Sequence, residues 1–243
     1  MRPIAPSLIA LKQGLAQIAP KAVAVAVSDP RGSLAVVWPE EAPAIAKAVP
    51  ARRREFAAGR HAARMAMRDL GVAEQAIPAG QDRAPIWPEG LTGSISHDET
   101  SCIALLGLQE DFHALGVDVE PVEALPANVI DEVCTQRELD GLLALPADLR
   151  ARDARRLFCA KEAVFKAQYP LTGCLFDFKT LEITWPETTT HFTACFTRDV
   201  GSVPANATLC GQVGEAGGHM FALVAIGARA ATENAEFPFC AMG

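Results

Sequence analysis

The run Gly116-Val117-Asp118-Val119-Glu120-Pro121 sets two carboxylates two residues apart. Side chains alternate along a strand, so Asp118 and Glu120 share one face while Val117 and Val119 turn to the other. Acids this close repel each other unless a cation lies between them. A hard cation such as Mg²⁺ suits such a pair, because it takes one or two carboxylates and fills its remaining positions with water and phosphate oxygens. The plainer alternative is a strand end with two solvated acids. A second run, Phe158-Cys159-Ala160-Lys161-Glu162-Ala163-Val164-Phe165-Lys166, puts Glu162 and Lys166 on one face of a helix and leaves Phe158 and Phe165 to anchor another. Alone, it reads equally as an ordinary surface ion pair. In Gly93-Ser94-Ile95-Ser96-His97-Asp98, hydroxyls, backbone amides and an imidazole could together meet a phosphate oxygen, although a solvated loop histidine is the commoner finding. The arginines 52, 53, 54, 60, 64 and 68 form a basic stripe that suits a phosphate monoester or, more simply, a solvated helix face.

These residues need elements to hold them. Leu8, Leu11, Leu15 and Ile18 recur at helical steps, and so do Phe56, Ala63, Met67 and Leu70 between Arg52 and Leu70. Residues 128–145 and 152–168 are also expected to be helical. Val23–Val27 and Leu34–Trp38 flank Asp29-Pro30-Arg31-Gly32, which predicts a hairpin. Short strands are expected at 94–96, 101–108 and 115–119, then strand after strand at 181–185, 191–197, 207–213 and 220–226. Helix and strands followed by helix and strands again predicts an α+β fold of two comparable halves, divided as residues 1–119 and 120–243.

The chain has 243 residues, half of them hydrophobic, and a formal net charge of −7, enough apolar content for a packed core and the wrong sign for a protein held mainly to nucleic-acid phosphates. Seven scattered cysteines without a CxxC pair read as reduced thiols of a cytosolic protein. Lys12 and Gln13 interrupt the first apolar stretch, so no secretory leader is expected, and there is no apolar run of membrane-spanning length. A soluble, cytoplasmic protein follows.

Taken in order, RREFAAGRHAAR (53–64), PIWPEGLTGSISH (85–97), GVDVEP (116–121) and FCAKEAVFK (158–166) resemble the 4′-phosphopantetheinyl transferase superfamily. They are most similar to its enterobactin synthetase component D type. The resemblance implies a monomer of two pseudo-symmetric α+β halves with coenzyme A at their junction. It further implies Mg²⁺- or Mn²⁺-dependent transfer of the phosphopantetheine arm of coenzyme A to a serine of an apo acyl, aryl or peptidyl carrier protein, releasing adenosine 3′,5′-bisphosphate. Carried over by position, Asp118, Glu120 and Glu162 are the metal-ligating acids. Glu162 and Lys166 are the catalytic pair, and Ser96, His97 and Lys161 lie along the coenzyme A phosphates. Arg53 and Arg60 are candidates for the 3′-phosphate and Arg83 for the adenine side. Phe158-Cys159-Ala160 stands where many surfactin-type relatives carry Trp and Ser, and Cys159 invites a nucleophile reading that direct transfer does not need. The carrier surface is expected near residues 122–146, where Leu125, Leu139, Leu142 and Leu143 are either docking residues or core. Two rivals remain, a Mg²⁺-dependent nuclease, opposed by the net charge, and a non-catalytic coenzyme A-binding protein, opposed by the intact acid set.

Overall fold

Small residues decide how closely the helices of this chain lie on its sheets. The computed structural model describes residues 5–32, 36–186 and 190–228. In the first half come α1 (Pro6–Ile18), β1 (Ala24–Ser28), a 3₁₀ turn (Ala42–Ile45), α2 (Pro50–Asp69), β2 (Leu91–His97) and β3 (Cys102–Leu108). The second half holds β4 (Phe112–Pro121), α3 (Ala127–Val133), α4 (Gln136–Leu143), α5 (Ala147–Thr172), a 3₁₀ turn (Phe178–Thr180), β5 (Leu181–Thr184), β6 (His191–Phe196), β7 (Thr208–Ala216) and β8 (His219–Gly227). The described strands form a three-stranded sheet, order β1-β3-β2, and a five-stranded sheet, order β4-β8-β7-β6-β5.

A repeat is visible in that order. β1, α2, β2 and β3 make a strand, a helix and a hairpin whose last strand lies between the other two. β4, α5, β7 and β8 do the same, with β5 and β6 added at the far edge. The fold is thus α+β with two related halves, and β4, which runs across position 119/120, pairs antiparallel with β8 of the second sheet.

Among the described residues, three apolar clusters hold the layers together. α2 lays Ala62, Ala63, Ala66 and Met67 against Ala24, Ala26, Ala104 and Leu106 of the first sheet. The opposite face of that sheet meets Leu8, Leu11 and Leu15 of α1, which also reach Leu115, Val117 and Val119 of β4. α5 covers the other face of β4 with Ala160, Ala163 and Ala167 among its buried residues. At their crossing stands Gly116, where an added Cβ would sit 2.0 Å from the Ala163 carbonyl oxygen and 2.8 Å from the Ala167 nitrogen. Only a residue without Cβ lets the two backbones approach this closely.

The halves meet along β2 and β4, which run in the same direction. The contact is made by side chains, with the Val117 amide donating to Ser94 Oγ at 3.0 Å and the Val119 amide to Ser96 Oγ at 3.3 Å.

Two local expectations need correction. β1 pairs with β3, and Val36–Trp38 is irregular rather than the return strand of a hairpin, Leu34 and Ala35 lying outside the described residues. A buried ion pair competes for this segment. Arg64 meets Glu41 Oε1 at 2.5 Å, donates to the Val36 carbonyl at 2.8 Å and stacks on the Trp38 ring, while Glu41 Oε2 takes the Trp38 amide. The helix expected over 128–145 is split into α3 and α4 because Thr135 and Glu138 form a reciprocal capping box that starts a new helix.

Gly116→Ala must push α5 away from β4, which is expected to destabilise the fold by about 1–3 kcal/mol or more. Urea unfolding of the variant beside its parent measures this, and an unchanged midpoint would contradict the close approach.

Candidate active site

Asp118 lies on the α5-facing side of β4, and the Gly116 contact brings α5 within side-chain reach of it. Lys166 Nζ donates to Asp118 Oδ1 at 2.7 Å and to Ser96 Oγ at 3.0 Å, and Ser96 Oγ donates to the same Asp118 oxygen at 2.8 Å. With the Val119 amide as a further donor to it, the Ser96 hydroxyl uses its one proton and both lone pairs. Ser96 comes from the first half, and Asp118 and Lys166 from the second. The cluster therefore sits on the seam. Burial works against the Lys166 charge, but Asp118 and Glu162 outweigh it and raise its pKa, so Lys166 remains a cation.

The second Asp118 oxygen, Oδ2, is buried and has no hydrogen-bond partner. An orphaned carboxylate oxygen is costly, and it is a natural ligand for a cation. Glu162 is half-buried one helical turn before Lys166. Burial raises its pKa above the ordinary carboxylate range, Lys166 pulls it back in part, and Asp118 adds to the rise. The third expected acid is engaged elsewhere. Glu120 Oε2 pairs with Arg155 Nη1 at 2.5 Å, and the same guanidinium donates to the Glu123 and Ala124 carbonyls. Burial and Asp118 push Glu120 up to about 7, against the pull of Arg155. Among the described residues no three His, Cys, Asp or Glu side chains close around a common point. Asp118, Glu120 and Glu162 are neighbours that do not converge on one point. What the site offers a metal is one oriented, unsatisfied oxygen flanked by two more acids, a donor set that fits Mg²⁺ when water and phosphate oxygens complete its shell.

His97 ends β2 beside this cluster. Its Nε2 touches Arg52 Nη1, and its Nδ1 lies 3.7 Å from Glu55 Oε2. Burial and the neighbouring Arg52 charge lower its pKa, with Glu55 opposing them. Arg52, rather than Arg53 or Arg60, is thus the arginine at this histidine. Arg53 caps the preceding 3₁₀ turn by donating to the Ala46 and Ala48 carbonyls. Arg60 is buried, donates to the Ile77 carbonyl at 2.7 Å and stacks on Phe56, and burial brings its pKa down to about 10. Part of the stripe, read in the sequence as a phosphate site or a solvated face, is thus an internal brace.

Lys161 departs furthest from expectation. Adjacent helix residues point about 100° apart, so when Glu162 faces the cluster Lys161 faces the core. Its fully buried ammonium donates to Glu138 Oε2 at 2.6 Å and to the Val133 and Phe178 carbonyls. Glu138 also accepts the Thr135 and Ile183 amides, so this pair ties α4, α5 and β5 together. Cys159 is likewise wholly buried, and burial raises its thiol pKa well above the ordinary value, which removes the nucleophile reading. Leu125 and Leu142 belong to the core, whereas Leu143 is exposed.

Arg83 stands in a loop closed by the Ala79–Pro85 bridge, with a left-handed φ of 69°. Its neighbour Asp82 accepts the Tyr169 hydroxyl at 2.8 Å, which fastens this first-half loop to α5 one turn beyond Lys166. Arg155 and the Tyr169–Asp82 contact carry no signal in the sequence, since each depends on partners far away along the chain, and Arg52 is visible there only as one of six arginines of the stripe.

Lys161→Met strands the buried Glu138 carboxylate and is expected to cost about 3–5 kcal/mol of folding stability in urea titration. Iodoacetamide at mildly alkaline pH is expected to leave Cys159 unmodified in the folded protein, as peptide mapping would show.

Comparison with known proteins identifies the family of the chain. Residues 40–107 match the family model of the 4′-phosphopantetheinyl transferase N-terminal domain, and residues 114–205 match that of the 4′-phosphopantetheinyl transferase superfamily. The chain is 39% identical over 170 residues to the 4′-phosphopantetheinyl transferase PptT of Mycobacterium tuberculosis, covering 70% of this chain and 73% of that protein. It is 39% identical over 168 residues to the 4′-phosphopantetheinyl transferase Svp of Streptomyces mobaraensis, covering 68% of each. Enterobactin synthase component D of Escherichia coli is 35% identical over 123 residues, 48% of this chain and 54% of that protein. With its seam-borne Ser96–Asp118–Lys166 cluster inside the matched segments, the chain belongs to the 4′-phosphopantetheinyl transferase superfamily.

Proposed function

We propose that this chain transfers the 4′-phosphopantetheine group of coenzyme A to a serine hydroxyl of an apo acyl, aryl or peptidyl carrier protein and releases adenosine 3′,5′-bisphosphate. The observation that carries this reading is the buried, unpartnered Asp118 Oδ2 beside a charged Lys166 at the junction of the halves. Such an oxygen calls for a cation, and Lys166 supplies a fixed positive charge beside it.

Coenzyme A lies across the seam in this proposal, its phosphates toward Ser96, His97 and Arg52 and its adenine side toward Arg83. The serine oxygen attacks the β-phosphorus of the pyrophosphate. A bond forms between them as the bond from that phosphorus to the bridging oxygen breaks, and the bridging oxygen leaves with the nucleotide. Negative charge grows on the phosphoryl and bridging oxygens, where Lys166 is placed to meet it. Glu162, its pKa raised by burial, takes the serine proton directly or through one water. Mg²⁺ held at Asp118 Oδ2, with Glu162 and Glu120 beside it, would supply charge neutralisation on the pyrophosphate oxygens. The carrier approaches from the 122–146 segment, where Leu143 remains exposed.

Intact-protein mass spectrometry of an apo carrier protein, incubated with this chain, coenzyme A and Mg²⁺, tests the reading. A phosphopantetheine-sized mass gain that is abolished by EDTA and by Asp118→Ala is expected. Glu162→Gln is expected to lower turnover by about 10²–10⁴-fold, the range of a lost general base, with folding and coenzyme A binding retained. Coenzyme A binding without mass gain across acyl, aryl and peptidyl carriers would favour a non-catalytic binder. No coenzyme A binding would overturn the proposal.

A further inference from the structure

The tip of the β7–β8 hairpin touches three other elements at once. Gly217 and Gly218 make its two-residue turn with φ of 62° and 82°, the left-handed pair that a tight hairpin of this kind requires. A Cβ on Gly217 would lie 2.0 Å from the Ser7 carbonyl oxygen, so α1 presses directly on the turn. The Gly218 carbonyl accepts the Val122 amide at 3.1 Å, just past β4. His219, the first residue of β8 and 6% exposed, reaches the first half of the molecule.

Its target is the β2–β3 turn immediately behind His97. Asp98 Oδ1 accepts the amides and hydroxyls of Thr100 and Ser101 at 2.7–3.2 Å, so this one oxygen builds the turn. The other oxygen, Oδ2, is buried with no well-aligned hydrogen bond, and His219 Nε2 lies 3.2 Å from it. The Thr100 hydroxyl is 2.9 Å from the same nitrogen. His219 Nδ1 faces the Gly217 carbonyl at 3.1 Å, which only accepts, so that nitrogen carries a proton. Nε2 is the side-chain nitrogen that stands against the otherwise orphaned Asp98 oxygen.

We infer that His219 is a positioning residue that bridges to Asp98 across the seam and fixes the Ser96–His97 end of β2 relative to β4 and α5. The Ser94 and Ser96 hydroxyls hold the strands side by side, and the His219–Asp98 bridge sets the turn beyond them. The bridge is a property of the fold. Its effect on coenzyme A rests on the transferase reading above.

The test uses the full-length protein with His219→Leu, His219→Gln, Asp98→Asn and the His219→Leu/Asp98→Asn double variant. Hydrogen exchange followed by mass spectrometry reads the segment 96–101, and calorimetry reads coenzyme A affinity without a carrier. Exchange at 96–101 is expected to quicken at least tenfold in His219→Leu while peptides from the middle of α5 stay unchanged. Coenzyme A affinity and the KM for coenzyme A are expected to worsen about tenfold, with kcat at saturation altered less than twofold. His219→Gln, whose amide can donate to Asp98, is expected to recover part of both losses, and the double variant to lose no more than His219→Leu alone. Should His219→Leu fail to fold, His219→Gln and Asp98→Asn decide by the same two readouts. Unchanged exchange at 96–101, or full additivity in the double variant, would overturn the bridge. Failure of the parent to bind coenzyme A would sink the transferase reading alone, since exchange still tests the bridge.

Discussion

The close approach of α5 to β4 at Gly116 governs this molecule. Because that position carries no Cβ, the helix backbone settles against the strand and the long side chain of Lys166 needs to reach only as far as Asp118. Had the helix stood off by the width of a methyl group, the ammonium and the carboxylate would meet through water. The small residues around the crossing, Ala160, Ala163 and Ala167, serve the same end from the helix side. Packing here is the means by which charges are positioned.

The charges so gathered divide into two kinds. Those on the seam, Asp118, Glu162 and Lys166, leave an acceptor unsatisfied and keep part of their surface toward solvent. Those in the core, Lys161 with Glu138 and Arg64 with Glu41, are buried and hydrogen-bonded to backbone groups besides each other. An enclosed pair costs desolvation and gives little net stability, but once formed it permits only one arrangement of the segments it joins. Glu41 organises the approach to α2 in this way, and Glu138 organises the junction of α4, α5 and β5.

Much of this was legible in the chain itself. Strand alternation in GVDVEP and the four-residue spacing of Glu162 and Lys166 depend on local geometry, so both carboxylates of the strand face α5 and the helix pair points toward them. Helical and strand periodicity likewise marked most of the elements. The failures share one cause. Periodicity tells that Lys161 and Glu162 diverge, but which of them is buried depends on Glu138, and nothing near Lys161 in sequence announces that partner. Arg60 and Arg64 share a helix face that reads as solvated until Ile77 and Glu41 close over it. Val36–Trp38 has strand-like composition and is claimed by Arg64 instead.

The serines of β2 carry an obligation that chemistry alone does not explain. Ser94 and Ser96 each accept a hydrogen bond from a buried amide of β4. Alanine at either place would leave a donor without an acceptor in the middle of the molecule. The architecture therefore favours a hydroxyl-bearing residue at both positions, whatever chemistry the site performs.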